Sequence, residues 1–373
     1  MRIAINGFFW DQPNTGSGQY VRALVAALKE RAPQNDYVVV APSAVSGQRS
    51  AVAHLRENLD KVWFEQIAFA RACRRERATL AHVPYFGSPF FSPTRTVVTI
   101  HDLIPIVLPA YRGSILVRAY TALAAICARR ADAIIADSEC SKRDIIARLK
   151  IAAARVRVVY LAADARYRAQ DDAAQIEIVR RKYALPEKYL LYLGGYDQRK
   201  NVRVIIAAFA RAPEFYRAGY RLMLAGVNLG RDPEVFPDPR QIARDAQLAE
   251  DALALIGWVD EADKPALYSG ASAFLFPAVY EGFGLPPLEA MACGTPVICA
   301  NASSLPEVVG DAAIRLPPDD ADAWADAIRA VLTDDARRVA MRARGIAQAR
   351  QFSWTRCAAE TLAVYNAQLT NVN

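Results

Sequence analysis

The sequence lacks the spacings that would mark a metal or disulfide framework. Its six cysteines stand singly at 73, 127, 140, 293, 299 and 357, with no CxxC pair and no histidine neighbours. Reduced, partly buried thiols in a cytoplasmic protein are the expectation, and a zinc site is not. Uninterrupted apolar runs are also missing. The longest candidate, Ile115 to Ala128, is broken by Arg118, short of the roughly 18 residues that a spanning helix needs. No apolar core follows a basic start; Met1-Arg2-Ile3-Ala4-Ile5-Asn6 reads as a first strand, so no signal peptide is expected. Repeats with a period of about 20–50 residues and low-complexity tracts are absent. Histidine is scarce, with three in the chain: His54 in a helical stretch, His82 in or beside a strand, and His101.

What is present is a chain of 373 residues, 53% apolar and 23% charged, which suits two globular α/β domains. Short β-rich runs alternate with helical patterns at 1–6, 37–41, 80–83, 96–100, 133–137 and 156–160. After a polar connector the alternation restarts at 189–193, 220–226, 253–256, 273–276, 297–300 and 312–316. Two such series predict two Rossmann-like, doubly wound parallel sheets with a cleft between them. The boundaries are expected at 1–166, joined by a C-terminal helix over about 355–373, and at 167–354, with helical stretches over 336–351 and 355–369 closing the chain.

Charge divides unevenly. Residues 1–166 hold 23 Lys and Arg against 13 Asp and Glu, a net of +10; the remainder holds 23 against 26, a net of −3. The first domain is therefore expected to face something anionic. The basic clusters Arg71/Arg74/Arg75/Arg77 and Arg129/Arg130 lack interleaved aromatics or a groove-reading motif. That argues against nucleic acid and leaves an anionic membrane surface or a solvated face.

Four stretches carry candidate chemistry. Asn14-Thr15-Gly16-Ser17-Gly18-Gln19-Tyr20 follows the first strand and opens a helix. A tight turn and a phosphate contact are both open for it. The third glycine of a dinucleotide fingerprint is missing, and no acidic residue follows strand two, so a dehydrogenase is disfavoured. His101-Asp102-Leu103 directly follows the strand 96–100, at the carboxyl end where parallel sheets bind ligands. Ala136-Asp137-Ser138 ends the next run similarly, with Ser138 suited to a helix N-cap. Leu193-Gly194-Gly195-Tyr196-Asp197-Gln198-Arg199-Lys200-Asn201 ends the second domain's first strand with paired cations at a helix start, placed to hold a diphosphate.

The fourth stretch, Glu281-Gly282-Phe283-Gly284-Leu285-Pro286-Pro287-Leu288-Glu289, joins two apolar strands through a loop and a short helix closed by Gly294. Its two carboxylates suit acid–base work or hydrogen bonds to hydroxyls at opposite ends of one extended ligand. A loop feeding a helix N-terminus favours the second, with the Phe283, Gly284 and Leu285 N–H groups offered to a phosphate.

Together these motifs resemble the family 4 retaining, nucleotide-sugar-dependent glycosyltransferases. The carriers are the Glu281-x7-Glu289 signature, the glycine loop at 16–18, His101, Ala136-Asp137-Ser138 with Ser141-Lys142, Gly194-Gly195 and Arg199-Lys200. Gly257-Trp258-Val259, Gly294-Thr295-Pro296-Val297 and Phe352-Ser353-Trp354 extend the resemblance over nearly the whole chain. The resemblance implies the GT-B fold, a last helix that returns to the first domain, and no metal or other cofactor. It implies that Arg199 and Lys200 bind the donor diphosphate, that Glu281 with the Phe283-Gly284-Leu285 backbone holds the donor sugar, and that Glu289 accepts from the ribose. Gly195 and Val259 fall at the donor, Val259 beside the base. His101 stabilises and positions near sugar and acceptor, and Gly16 and Gly18 close over phosphate. The glycine loop departs from the family's adjacent glycines by reading Gly-Ser-Gly.

The expected activity is transfer of a hexose from an NDP-sugar, with UDP, GDP and ADP all open, to a saccharide acceptor, plausibly lipid-linked, in polysaccharide assembly. Tyr85-Phe86-Gly87-Ser88-Pro89-Phe90-Phe91 reads as an exposed aromatic loop for a membrane-borne acceptor or as a buried strand connection. An NDP-sugar 2-epimerase and a non-catalytic two-domain sugar-binding protein are the competing classes.

Overall fold

The computed structural model describes residues 1–42, 59–170, 172–227, 230 and 232–370; His54 lies outside them. The chain divides into two compact units, Met1–Leu161 with Trp354–Asn373, and Ala162–Ser353. The division falls a few residues before the expected boundary after Arg166, and Tyr167, just beyond that boundary, donates to Glu261 Oε2 at 3.1 Å within the second unit.

The first unit carries six parallel strands among the described residues: β1 (Arg2–Asn6), β2 (Asp36–Val40), β3 (Leu80–Val83), β4 (Arg95–Ile100), β5 (Ala133–Ala136) and β6 (Val156–Val158). Their order is β2-β1-β3-β4-β5-β6. The central strands Leu80–Val83 and Ala133–Ala136 are buried at every position, as befits strands covered by helices on both faces. The order reverses between β1 and β3, so the crevice at a doubly wound sheet's switch point falls at their carboxyl ends.

The last helix, Trp354–Thr370, belongs to this unit and packs on the helix Gly16–Arg31. A buried chain of hydrogen bonds fixes it: Tyr365 Oη lies 2.7 Å from His82 Nδ1, and His82 Nε2 lies 2.9 Å from Thr99 Oγ1. Burial, reinforced by the nearby His101 charge, pushes the His82 imidazole down to about 3. His82 is therefore a neutral core residue.

The second unit repeats the plan with β7 (Tyr189–Leu193), β8 (Arg221–Ala225), β9 (Leu253–Gly257), β10 (Ala273–Phe276), β11 (Val297–Ala300) and β12 (Ile314–Leu316). All pairings are parallel, in the order β12-β11-β10-β7-β8-β9. Here the reversal lies between β7 and β10. The apolar tetrapeptides Ala273–Phe276 and Val297–Ala300 are wholly buried. The ends of β7, β8 and β9 converge: the Gly194 N–H donates to Ala225 O at 2.9 Å and the Gly226 N–H to Gly257 O at 2.7 Å. Gly226 has φ +139°, and a Cβ there would sit 1.9 Å from Gly194 O, so only glycine permits the approach.

Among the described residues, no helix is long and apolar enough to cross a membrane. Their six cysteines are free thiols, five of them buried.

Candidate active site

In the second unit, the two loops that leave the switch-point strands meet. After β7 the chain turns through Gly194 and Gly195 into a single 3₁₀ turn, Gln198–Lys200. Arg199 and Lys200 thus sit on that turn, one residue ahead of the helix Val202–Ala210 rather than in its first turn. Asn201 between them takes a left-handed conformation, φ +53°, and its side-chain amide donates to Pro318 O at 2.6 Å. After β10 the chain runs to Glu281.

There Arg199 Nη1 donates to Glu281 Oε1 at 2.5 Å and to Tyr280 O at 2.8 Å, while Lys200 Nζ lies 2.8 Å from the same Oε1. Lys200 Nζ also stands 5.1 Å from the Phe276 ring centroid. Asp197 Oδ1 is 3.4 Å from Arg199 Nε. Two cations thus meet two carboxylates, all largely buried. Burial drives the Glu281 carboxyl upward, but the Lys200 and Arg199 charges more than reverse this and hold it below the usual range. Glu281 is therefore an anion at neutral pH.

The backbone of this loop is fixed by two serines that sequence reasoning missed. Ser303 Oγ accepts from Glu281 N at 3.1 Å and lies 2.7 Å from Glu281 O. Ser304 Oγ, fully buried, lies 2.9 Å from Glu281 O and 2.7 Å from Phe283 O. Both follow β11, whose end lies beside that of β10. Phe283 packs its ring against Phe352, centroids 5.7 Å apart, so this residue presents backbone to the site. Gly284 precedes the helix Leu285–Ala292 with φ +112°.

Glu289, on the buried face of that helix, has a different set of partners. Tyr268 Oη donates to its Oε2 at 3.0 Å. Burial raises its carboxyl to about 7, against the lowering effects of Lys264 and the Tyr268 hydroxyl. Val259 is buried beyond the end of β9, next to the half-exposed Trp258. Tyr192 Oη donates to Gly195 O at 2.5 Å, fixing the turn above β7.

In the first unit, His101 follows β4 as expected. Its Nδ1 lies 2.6 Å from Asp137 Oδ2 and its Nε2 3.2 Å from Pro84 O. With an oxygen acceptor at each ring nitrogen, the doubly protonated ring satisfies both. Burial opposes that charge, but Asp137 outweighs it and raises the imidazole above its ordinary value. Asp137 is 2% exposed, and its Oδ1 has no hydrogen-bond partner among the described residues. Asp137 is the functional candidate that the sequence left without a role beyond its motif; its place at the end of β5, the neighbour of β4, is the signal that joins it to His101. Ser138 caps the helix Glu139–Leu149, accepting from Ser141 N at 3.0 Å.

The edge of the Tyr20 ring meets His101 at 4.8 Å between centroids. Tyr20 lies on the helix Gly16–Arg31, whose N-cap Thr15 accepts from Gly18 N at 3.1 Å. A Cβ on Gly18 would lie 2.0 Å from Gln12 O, whereas nothing lies within 4 Å of one on Gly16. Gly18 thus serves close packing of the helix start, and Gly16 has the open approach.

The loop Tyr85–Phe91 takes one of the two forms open to it in the sequence. Tyr85 and Ser88 are buried, and Phe91 alone of its aromatics is strongly exposed. Gln66 holds the loop inward, donating to Ser88 O at 3.0 Å and accepting from Phe90 N at 2.9 Å. The buried strand connection is the form that occurs.

The sequence profile described as glycosyl transferases group 1 matches residues 175–351, and that of glycosyltransferase family 4 matches residues 14–167. The O-antigen chain mannosyltransferase B of Escherichia coli is 35% identical over 284 residues, 75% of this chain and 73% of that protein. The serotype-specific mannosyltransferase WbdA of Escherichia coli is 33% identical over 268 residues, 71% of this chain; the match spans 32% of that protein's length. Among solved structures, sucrose-phosphate synthase from Thermosynechococcus elongatus superposes over 99% of both chains, with a TM-score of 0.76 at 21% identity. Anabaena HepE in complex with UDP and glucose has a TM-score of 0.72 at 19% identity, covering 97% of this chain and 99% of that one.

Proposed function

Since the chain belongs to the family 4 glycosyltransferases and has their GT-B fold, we propose that it is a hexosyltransferase that draws on an NDP-sugar and builds a polysaccharide. The observation that carries this reading is the shared Glu281 oxygen between Arg199 and Lys200 at the β7/β10 switch point. Counted with Asp197, the four side chains sum to no net charge. An arriving diphosphate therefore competes with Glu281 for the cations. In this reading the phosphates take over Lys200 and Arg199, and the displaced carboxylate accepts a hydrogen bond from a sugar hydroxyl.

The group that develops charge as the glycosidic bond breaks is the departing diphosphate. Lys200 and Arg199, exchanged from Glu281, and the N–H groups of Phe283, Gly284 and Leu285 are the donors for that charge, on a loop whose backbone Ser303 and Ser304 hold. The chemistry then requires no metal. Glu289 is assigned to the nucleotide ribose, Val259 to the edge of the base, and Gly195 to the phosphate approach. In the first unit, Gly16 is assigned to a phosphate contact. His101, kept cationic by Asp137, stabilises and positions the reacting sugar and acceptor hydroxyl. Transfer with retention of the anomeric configuration, and a lipid-linked saccharide acceptor met at a membrane, complete the proposal.

The mannosyltransferase relatives put a mannosyl donor first among the candidates. UDP-sugars stay in the trial because HepE was crystallised with UDP and glucose. A thermal-shift screen of GDP-, UDP- and ADP-sugars identifies the donor, since a ligand that binds the folded state raises the melting temperature. Saccharide transfer is then measured with that donor. Full activity in both Glu281→Ala and Lys200→Ala would overturn the site; loss of transfer in both, with a folded protein, supports it.

A further inference from the structure

The first unit has a polar hollow at the amino ends of β4 and β5 that the candidate site does not use. The cavity measures about 150 Å³ and lies between the outer end of the loop Tyr85–Phe91 and Arg130, the last residue of the helix Ile115–Arg130. Thr96 lines it near the start of β4, whereas His101 follows the other end of that strand. Five positions of extended chain, about 16 Å, separate the two.

The hydrogen bonds already made there define what a ligand must bring. Ser92 Oγ donates to Thr94 O at 2.8 Å, Thr94 Oγ1 to Thr79 O at 2.7 Å, and Thr96 Oγ1 to Thr94 O at 3.2 Å. Each of these hydroxyls has spent its proton on the chain and keeps acceptor capacity. The Asp132 carboxylate accepts from Arg95 Nη1 at 2.6 Å and from Thr96 N at 2.8 Å, and each oxygen retains a lone pair. Ser88 is 1% exposed, and its Oγ has no partner among the described residues. A buried hydroxyl left so is costly.

Arg130 is the donor of the set. Its Nε donates to Phe90 O at 3.0 Å, and its guanidinium carbon lies 4.4 Å from the Phe90 ring centroid and 5.6 Å from that of Phe91. Phe91 is 73% exposed and meets the Phe90 ring edge-on, centroids 4.7 Å apart. An open aromatic ring thus stands beside the hollow.

This combination selects one class of ligand. An anion brings acceptors alone and meets further acceptors and the Asp132 charge. A cation meets Arg130. A saccharide brings hydroxyls that both donate and accept, and the C–H face of a pyranose covers an aromatic ring. The volume suits one six-membered ring. A second cavity of about 420 Å³ shares Asp132 and continues along β6 and the helix Trp354–Thr370, with Arg157, Glu360 and Gln368 among its polar groups. Two adjoining hollows suit a chain of sugars better than a single one.

We propose that this hollow is a non-catalytic saccharide-binding site that retains the growing polymer, with Phe91 as its platform and Arg130, Asp132 and Ser88 as its hydrogen-bonding groups. The inference rests on the functional reading above for the polymer, while the binding itself needs neither donor nor transfer. A polymer held here as well as at its reacting end is bound at two points, which raises the effective concentration of that end. Long acceptors gain by this and short ones do not.

The test is native affinity electrophoresis of the full chain, without donor, in gels that contain mannan, dextran, galactan or polyphosphate. At least one of the neutral polysaccharides should retard the wild type. Phe91→Ala/Arg130→Gln should weaken that binding about tenfold. Phe91→Trp, which keeps an aromatic platform, should retain it. These variants alter exposed side chains and should keep the wild-type melting temperature, the nucleotide-sugar thermal shift and the transfer rate to a disaccharide acceptor. The KM for a long acceptor should rise several-fold in the double variant alone. No retardation of the wild type by any neutral polysaccharide would overturn the proposal, even where transfer is intact. Retardation by polyphosphate alone would overturn it by making the hollow an anion site, as would undiminished retardation of the double variant. Polysaccharide binding that the double variant loses, in a protein without transfer activity, sustains the site and removes the enzymatic reading.

Discussion

Glu281 and Lys200, eighty-one positions apart in sequence, meet at 2.8 Å through the same carboxylate oxygen that receives Arg199 at 2.5 Å. Strands β7 and β10 are neighbours, so the loops that leave their carboxyl ends have to converge. The pairing is thus a consequence of strand order. In the function proposed above, the pairing stores the cations of a diphosphate site in neutralised form until a ligand replaces the carboxylate.

Removing the charge of Glu281 while keeping its shape separates binding from transfer. In Glu281→Gln the two cations lose a compensating anion, so free NDP should bind about tenfold tighter, a change of ~1.4 kcal/mol. Transfer should fall by about 10²–10³-fold, because the sugar hydroxyl loses its charged acceptor. Lys200→Ala should instead weaken NDP. Titration calorimetry with NDP, set beside initial rates, reads both effects. Weaker NDP binding by Glu281→Gln would count against the exchange of carboxylate for phosphate.

The His101–Asp137 pair predicts a pH dependence of opposite origin. Burial works against the imidazolium, and Asp137 more than restores it, so His101 titrates above its ordinary value. Its contribution to stability is complete below that ordinary value, about 6.5, and is lost as pH rises through the raised one. Asp137→Asn removes the charge that holds the proton. The His101 midpoint, followed by ring-proton NMR, should then drop below the ordinary value, and the stability difference between the proteins should shrink at high pH. An unchanged midpoint would show that Asp137 does not govern His101.

Much of this architecture was legible from apolar runs alone. Leu80–Val83, Tyr189–Leu193, Ala273–Phe276 and Val297–Ala300 occur as strands with the expected ends. They are legible because strands buried on both faces must be continuously apolar. Ends were less legible where a polar residue starts the strand: β2 begins at Asp36 and β4 at Arg95, each a residue before the expected start. The candidate site was legible as positions after strands, but its pairings were not. Ser303 and Ser304 carry no motif, and their role appears only when β11 is set beside β10. Exposure was the least legible property. The sequence 85–91 is as aromatic as any surface loop, yet Gln66 ties it inward, whereas Leu59, Trp63 and Ile67, which have the spacing of an ordinary core face, are exposed.

The support beneath the Glu281 loop is open to a direct test. Ser304 Oγ is fully buried between the carbonyl oxygens of Glu281 and Phe283. In Ser304→Ala both carbonyls lose this hydroxyl, Glu281 O keeping that of Ser303, at a cost of about 1–3 kcal/mol. The loop should loosen, so the KM for the donor should rise several-fold with a smaller change in kcat. Ser304→Thr, which keeps a hydroxyl, should recover part of the loss. Equal KM values in all three proteins would show that the loop holds its shape without this residue.

Glu289 should report nucleotide binding through a proton. Burial raises its carboxyl to about 7, with Lys264 and the Tyr268 hydroxyl pulling the other way. Between the ordinary glutamate value and about 7, the folded chain therefore keeps a proton that the unfolded chain has released. Its contribution to stability is full below that ordinary value and is lost as pH rises towards 7. Glu289→Gln stays neutral throughout, so its stability relative to wild type should increase across this interval. A ribose hydroxyl that donates to Glu289 favours the ionised carboxylate. Donor binding near pH 6 should then release close to one proton, which calorimetry in buffers of different ionisation enthalpy detects. Affinity should rise with pH up to about 7 and then level, and Glu289→Gln should show neither effect. Binding that is independent of buffer at pH 6, with the same donor and with wild-type affinity in Glu289→Gln, would remove Glu289 from the ribose contact and leave it as the buried partner of Tyr268.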